Sequence, residues 1–524
     1  MTDSNQDPGP EKPGAAGDWM MTFAARERTF LVVLLGCFLV AALAYQSPML
    51  AMWVGFAFAG YSAVANDSIQ TIGTFIASNR EQKWWVLWIF IGGIFALTVA
   101  NSWWNYGSGV EASYFANVTA LESGDEPVHE ETYPGTGIDW TGYAPLDVEP
   151  PYAVHFEGRY LPEASGDYTF GTLDCNGRLR LTLTPPDGEP YELDRWAATE
   201  PFADTQPITL VGGEEYAISY DFAQFEGAQP SCVVGFVVEE EGEAIVEPLD
   251  TSHLRWRAHG GDVSYGRLSS KGFERQPQRF SFLQIAAPLF LLILTRLRMP
   301  VSTTFLILTC FVSSASGFTK VLVKSMSGYA LAFVCAMLLW LTLGRYMKKK
   351  FVGKPAAYWR PLQWVTTGTL WSVWLQQDAA NIAVYLPRNL NPGQFAGFAL
   401  FIIAGLGLLF FQRGERIQQV VDEKSQVTDV RAATIIDLIY AFILWYFKIK
   451  SKVPMSTTWV FIGLLGGREL AMSLVKANEG ATVKDALKLM GKDVAFVTFG
   501  LIVSIVLAVA INDVVREAWL GPLF

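Results

Sequence analysis

The sequence predicts an α-helical polytopic membrane protein built from two inverted repeats with broken helices, carrying one all-β sandwich domain as an insertion. Three observations predict it. Hydrophobic residues make up 51% of 524, with 18 Trp and 35 Phe, too apolar for an ordinary soluble chain. Between Asn105 and Gln278 the character reverses to acidic, Pro- and Gly-rich sequence with short alternating runs such as "YTFGTL", "RLRLTL" and "YAISYDF". A polar, Asp-bearing stretch inside an apolar segment also occurs twice, followed each time by the same second motif.

The elements follow in chain order. Residues 1–28 form a disordered, cytoplasmic N-terminal tail, because "MTDSNQDPGPEKPGAAGD" holds too few apolar groups to repay ordering. No cleavable signal is expected, since the first apolar run starts near Thr29 and others follow it. Apolar windows able to cross about 30 Å of hydrocarbon lie near 29–46, 50–78, 84–101, 279–296, 301–317 and 322–346. Five more lie near 357–387, 393–411, 432–450, 454–472 and 486–511, about 11 membrane segments in all. Residues 29–104 and 279–350 thus form the first repeat, 105–278 the β-sandwich, and 351–524 the second repeat.

Sidedness follows from the basic loops. Arg80, Lys83, Arg296, Arg298, "RYMKKKFVGK" and "QRGER" face the cytoplasm under the positive-inside bias, and "FKIKSK" alone is discordant. The β domain then lies outside the cytoplasm in the cell membrane, whether 50–78 crosses once as a broken helix or folds back as a hairpin. Cys175 and Cys232 lie in predicted strands there, and an oxidising compartment allows either a disulfide or two buried thiols. Cys37, Cys310 and Cys335 read as packing residues.

"AVANDSIQTIGTF" (63–75) and "LQQDAANIAVYLP" (375–387) each bury an Asp with amide neighbours. After two further spans come "MPVSTTFLIL" (299–308) and "VPMSTTWVFI" (453–462), and behind each a Lys-bearing helix. Five elements per repeat, an odd number, would invert the halves. Inverted halves with interrupted helices are a transporter architecture, with the substrate near the midplane.

These residues resemble the inorganic phosphate transporter family, cation-coupled phosphate symporters and related sulfate permeases, whose halves each carry a Gly-Ala-Asn-Asp-Val-Ala-Asn type and a Pro-Val-Ser-Thr-Thr-His type signature. The resemblance implies substrate binding by Asn66, Thr71, Gln377, Asn381, Ser302, Thr303, Thr304, Ser456, Thr457 and Thr458, and coupling-ion binding by Asp67, Gln70, Asp378 and Thr74. The chain departs from the family at Gln70 and Gln377, where the family has Asn, and at Phe305 and Trp459, where it has His. The longer amides keep donor and acceptor but resize a pocket. Residues 150–240 are similar to the protective-antigen-type β-sandwich, often tied to carbohydrate binding, but its paired Ca²⁺-binding Asp residues read Asp174-Cys175 here.

The chemistry points the same way. Hydroxyls and free N–H groups at helix starts after Pro300 and Pro454 suit an oxyanion. A carboxylate in each half repels an anion unless a cation lies between, and neither motif contains Arg or Lys, so the coupling ion is expected to supply the positive charge. A mid-membrane carboxylate costs at least about 2.5–3.5 kcal/mol, which argues for function against a capping role for Asp67 and Asp378. Lys320, Lys324, Lys488 and Lys492 read first as snorkelling side chains, and Asp437 as either an ion-path residue or a bundle-facing hydrogen bond.

The expected function is therefore symport of inorganic phosphate driven by Na⁺ or H⁺, with sulfate as the alternative anion. A ligand-sensing receptor or adhesion protein acting through the β domain is the alternative from another class. Enzymatic activity is not expected, for no nucleophile–base set, Walker loop or metal-ligand spacing is visible and only 4 His are present. Nor is any cofactor expected, nor any metal beyond Na⁺ at Asp67 and Asp378. Expected partners are the lipid bilayer and phosphate or a similar oxyanion, with no nucleic acid; a homodimer and a carbohydrate or protein ligand of the β domain stay open.

Overall fold

The computed structural model describes residues 27–520 apart from internal stretches, the longest being 140–152, 197–206, 269–278 and 413–428. Almost all of the expected N-terminal tail, and Asp174 and Pro300, lie outside the described residues. The chain runs α1 (Arg28–Ala44), α2 (Pro48–Ser78) and α3 (Trp84–Asn105) before the insertion. After it come α5 (Phe282–Arg296), α6 (Thr303–Leu306), α7 (Ala315–Lys350), α8 (Trp359–Ala383), α9 (Pro392–Phe411), α10 (Val430–Lys450), α11 (Thr457–Leu474), α12 (Val483–Ile511) and α13 (Asp513–Leu520). Arg28 already belongs to a helix, and Glu27 pairs with Arg296, so the first ordered element begins inside the segment expected to be a tail.

Among the described residues, six helices are long and apolar enough to cross a membrane: those holding Pro48–Asp67, Trp84–Asn105, Gly317–Thr342, Pro392–Phe411, Val430–Ile449 and Val483–Ile511. Arg28–Ala44 and Phe282–Arg296 are apolar but shorter. Their outer faces expose Val32, Leu35, Leu400, Ile502 and Val506, the surface that a lipid solvent requires. The motif helices α8 and α11 are instead buried along most of their length, since a helix carrying amides, hydroxyls and carboxylates needs partners on every side.

Two expectations need correction. The polar motifs do not break their helices. α2 is helical without interruption from Pro48 to Ser78 and α8 from Trp359 to Ala383, so 50–78 is neither a broken crossing nor a hairpin. A polar run unwinds a helix only if its side chains cannot be satisfied otherwise; here they bond to facing elements, and no Pro interrupts the backbone ladder. The segment 301–317 likewise forms no span. It makes one α-turn, tightens to a 3₁₀ turn at Leu308–Phe311 and becomes extended at Val312. Thr309 Oγ1 and Cys310 Sγ bond back to the Phe305 and Leu306 carbonyls, and Asn512 Nδ2 at the end of α12 takes Val312 O at 2.8 Å.

Where α7 and α11 cross, small residues let two backbones touch. A Cβ on Gly463 or Gly467 would overlap the Tyr329 or Phe333 carbonyl, so the spacing Gly463-x-x-x-Gly467 sets the approach.

The insertion is a sandwich of antiparallel strands. β1 (Val110–Phe115), β2 (His129–Tyr133), β4 (Ala153–Tyr160), β7 (Gly177–Thr184), β8 (Tyr191–Arg195) and β10 (Tyr216–Gln224) order as β2-β1-β4-β10-β7-β8, with β13 (Leu254–Arg255) added on β4. The facing sheet has β11 (Ser231–Glu240) between β12 (Glu243–Pro248) and both β3 (Gly137–Asp139) and β6 (Phe170–Leu173). A short pair, β5 (Gly166–Tyr168) with β9 (Ile208–Leu210), and the short helix α4 (Val118–Ser123) complete it. β7 alternates buried and open positions along "GRLRLTLT", the period a half-buried strand requires. Phe156 stacks on Tyr220 at 4.3 Å, and Phe170 packs on Phe236 at 4.7 Å, in one core shared by both sheets. Cys175 and Cys232 form a disulfide that ties β11 to the β6–β7 connection.

The expected boundary at Gln278 lies outside the described residues. Residues 261–268, "GDVSYGRL", leave the sandwich and dock on the helices as a hook, with Val263 and Leu268 inside the bundle core. Asp262 folds it, its carboxylate accepting from Ser264 N at 2.6 Å, Ser264 Oγ at 2.8 Å and Gly266 N at 2.7 Å. Gly261 pairs with Leu390, Ser102 Oγ donates to Asp262 O at 2.7 Å, and Tyr265 OH donates to Thr98 O at 2.6 Å. Tyr265 holds a left-handed φ of 58°, a conformation sustained only by surrounding contacts.

Candidate functional site

The two copies of each motif meet inside the bundle. Asp67 on α2 and Asp378 on α8 are each 2% exposed. Asn66 Nδ2 donates to Asp67 Oδ1 at 2.7 Å and to Val301 O at 3.0 Å, and the Thr303 hydroxyl donates to Asp67 Oδ2. In the second copy Asn381 Nδ2 donates to Asp378 Oδ1 at 2.6 Å and to Thr304 Oγ1 at 3.1 Å. The neighbours Thr303 and Thr304 therefore link one acid to the other, and each carboxylate lies within Coulombic reach of its counterpart.

The Ser-Thr-Thr segments are held by reciprocal bonds. Thr304 Oγ1 donates to Met455 O at 3.2 Å, while Thr458, at the matching position, donates to Val301 O at 3.3 Å, Val301 matching Met455. Ser302 and Ser456 cap their helices by accepting from Phe305 N at 3.2 Å and Trp459 N at 3.3 Å. Thr457 accepts from Trp374 Nε1 at 3.3 Å, and its carbonyl accepts from Tyr440 OH at 2.9 Å. Phe305 and Trp459 meet each other, ring centroids 6.1 Å apart and nearly edge to face.

The two halves differ in how their oxygens are satisfied. Both Asp67 oxygens accept a hydrogen bond, whereas Asp378 Oδ2 and Asn381 Oδ1 are buried outside good hydrogen-bond geometry, the Thr457 hydroxyl facing the Asp378 carboxylate as Thr303 faces Asp67. Gln377 Oε1 is also without a donor, but its Nε2 bonds Leu444 O at 3.1 Å and turns the side chain toward α10. Undonated acceptor oxygens beside a carboxylate suit a hard monovalent cation or a proton. Among the described residues no group of three or more His, Cys, Asp and Glu could hold a metal ion.

Not every expected residue joins this cluster. Gln70 Nε2 only reaches Asn66 Oδ1 at 3.4 Å, and Thr71 donates to Asp67 O at 2.9 Å within its own helix. Thr74 donates to Asp437 Oδ1 at 2.9 Å, and Thr367 to Asp437 Oδ2 at 2.5 Å. Thr74 is therefore no ligand of the Asp67 cluster, because two turns of helix separate them and a different acid claims its hydroxyl. Asp437 makes the bundle-facing hydrogen bonds that were one of its two readings.

Two basic side chains, Arg267 and Lys448, stand on Gln376 beside the second motif, and a third, Lys324, lies near Arg267. Arg267, on the hook, is 2% exposed and donates from Nε to Gln376 O at 2.5 Å. Lys448 on α10 donates to Gln376 Oε1, and its Nζ lies 5.5 Å from the centroid of the Tyr265 ring. Lys324 on α7 is half-buried and within Coulombic reach of Arg267, whereas Lys320, Lys488 and Lys492 are exposed. Arg267 carried no signal in sequence because it sits in a polar, Gly-rich stretch of the insertion; Lys448 belongs to "FKIKSK", the loop that disagreed with the charge bias.

A separate polar cluster lies in the β domain. Asp221 on β10 accepts from Arg180 Nη2 and Nε at 2.5 and 3.0 Å, and lies 2.6 Å from His155 Nδ1. The bond to Asp221 raises the His155 pKa above its usual range. Burial alone would raise Asp221, but the bonds from His155 and Arg180 outweigh it and hold the carboxyl below its usual range.

No family model matches the chain, and no curated protein matches it. Among solved structures it aligns with an anti-sigma factor domain-containing protein, 15% identical, at a TM-score of 0.23 over 29% of this chain and 48% of that one. It also aligns with a beta-glucosidase from Kluyveromyces marxianus in complex with glucose, 19% identical, at a TM-score of 0.20 over 26% of this chain and 16% of that one. The chain thus spans about half the length of the first and a sixth of the second, and likenesses this slight carry no argument.

Proposed function

We propose that the protein is a secondary active transporter that couples Na⁺ or H⁺ to the symport of a small oxyanion, inorganic phosphate first and sulfate as the alternative. The observation that carries it is the meeting of both Asn/Asp motifs and both Ser-Thr-Thr motifs at one buried site, Asp67 and Asp378 being linked through Thr303, Thr304 and Asn381. An anchor or receptor bundle has no use for such a set. The reciprocal pair Thr304 to Met455 O and Thr458 to Val301 O is the contact that two inverted halves would exchange across a pseudo-two-fold axis, which supports reading the bundle as inverted repeats. The basic loops support placing the β insertion outside the cytoplasm.

The chemistry proceeds in two parts. Asp378 Oδ2 and Asn381 Oδ1 take the coupling cation, whose charge screens the two acids. Hydroxyls and amides of the Ser-Thr-Thr segments then hold the oxyanion, which enters well only once that screening is in place. The test is uptake of radiolabelled phosphate or sulfate into proteoliposomes under an inward Na⁺ or proton gradient. Accumulation under one gradient, abolished by the matching ionophore and reduced at least tenfold in Asp378→Asn, is the expected result. No accumulation of either anion under either gradient would overturn the reading.

A further inference from the structure

Arg267 reaches the bundle from the inserted domain, not from a membrane helix. It bonds the carbonyl of Gln376, two residues before Asp378 on α8, and lies within Coulombic reach of that acid. Lys448, from α10, holds the side chain of the same Gln376, and Lys324 approaches from α7. Both lysines lie within Coulombic reach of Arg267. Three basic side chains from three segments thus gather at one end of the site, opposed by Asp378 and, beyond it, Asp67. Basic groups gathered at a partly desolvated place repel one another, and a nearby negative charge, as Asp378 is for Arg267, offsets that repulsion. A visiting oxyanion would add a further negative charge at this place, and the planar Arg fork matches its geometry better than an ammonium does.

The hook explains how such a residue is aimed. Three hydrogen bonds to the Asp262 carboxylate fold 262–266 into one tight turn, Gly261 lies against the Trp103 backbone, and Tyr265 is fixed in its left-handed conformation. Arg267 follows this turn directly, its backbone N–H bonded to Ser264 O at 3.3 Å. The sandwich and its disulfide stand upstream of this turn, so the insertion is anchored to the bundle at the place where the basic side chains gather.

We propose that Arg267, Lys324 and Lys448 form an anion-recognition site for a tetrahedral oxyanion, and that the inserted domain supplies its central cation through the 261–268 hook. This rests on the reading of the bundle as an oxyanion transporter and assigns the insertion a part in substrate recognition. Asp262 is then a positioning residue.

The test measures concentration dependence of phosphate uptake in proteoliposomes for wild type, Arg267→Gln, Arg267→Lys, Lys448→Gln and Asp262→Asn, alongside phosphate-dependent thermal stabilisation of the same proteins in detergent. Expected are a KM raised at least tenfold by Arg267→Gln with kcat changed less than threefold, partial rescue by Arg267→Lys, and a several-fold rise in KM for Lys448→Gln and Asp262→Asn. Phosphate should stabilise wild type and not Arg267→Gln. If wild type transports but Arg267→Gln and Lys448→Gln keep its KM, the anion site is refuted while the transport reading stands. If wild type transports neither anion yet is stabilised by phosphate in an Arg267-dependent way, the anion site stands and the transport reading falls. Should Arg267→Gln fail to fold, Lys448→Gln decides, because its side chain is half-buried: an unchanged KM there refutes the proposal.

Discussion

Replacing Gly261 with Ala should unseat the hook from the bundle. A Cβ at this position would stand 2.6 Å from the Trp103 carbonyl carbon and overlap the carbonyl oxygen. Ordinary carbon contacts lie at about 3.5–4.0 Å, so one backbone must retreat by roughly 1 Å. Backbone cannot rotate away as a flexible side chain would. The bonds at stake are Gly261 N to Leu390 O at 3.1 Å, Leu390 N to Gly261 O at 2.9 Å, Asp262 N to Tyr106 O at 2.6 Å and Ser102 Oγ to Asp262 O at 2.7 Å. A retreat of about 1 Å carries all four past hydrogen-bond distance, and at about 0.5–1.5 kcal/mol net each the hook's local stability falls by about 2–6 kcal/mol. Hydrogen exchange followed by mass spectrometry on the full chain in detergent should show amides 261–267 losing protection by roughly 30-fold or more. Gly93→Ala is the control, because a Cβ there meets nothing within 4 Å and α3 should gain about 0.5–1 kcal/mol from the better helix former. Protection of 261–267 within threefold of wild type in Gly261→Ala would refute the close seating.

Gly467→Ala should lower the thermal midpoint, since its Cβ overlaps the Phe333 carbonyl and overpacking costs about 1–3 kcal/mol, whereas Gly491→Ala, which meets nothing within 4 Å, should not. The β domain should show a pH window. The raised His155 pKa contributes stability that is full below the usual imidazole range and lost as pH rises through the raised value; the lowered Asp221 pKa contributes stability that is present above the usual carboxylate range and lost as pH falls through the lowered value. Exchange protection of β4 and β10, corrected for intrinsic rates, should therefore be highest between about pH 4 and 6.5, with the alkaline decline flattened in His155→Gln.

Much of the helical layout was legible because length and apolarity leave direct marks: most windows lie within a few residues of the helices observed. The recurrence of Asn, Asp and Ser-Thr-Thr marked the residues that meet at Asp67 and Asp378. The breaks were misplaced for a physical reason. A polar run such as "ANDSIQT" looks like an interruption, yet Asn66 and Thr74 reach Val301 O and Asp437 across the bundle, and such satisfaction leaves no trace in local sequence. Conversely, "STTFLILTC" reads as apolar and long, while in the structure it makes one α-turn and a 3₁₀ turn before extending at Val312. The hook was hidden by its composition, for a Gly- and Asp-rich stretch inside a soluble insertion reads as a surface loop, and only the tertiary fold places Arg267 beside Gln376.

The central claim is that Asp67 and Asp378 work as one site in gradient-driven transport. A double-mutant cycle on phosphate uptake in proteoliposomes, with Asp67→Asn, Asp378→Asn and the pair together, measures this. The account predicts that each single change reduces uptake at least tenfold and that the double variant is no worse than the weaker single one. Losses that multiply independently, or wild-type uptake in either single variant, would contradict it.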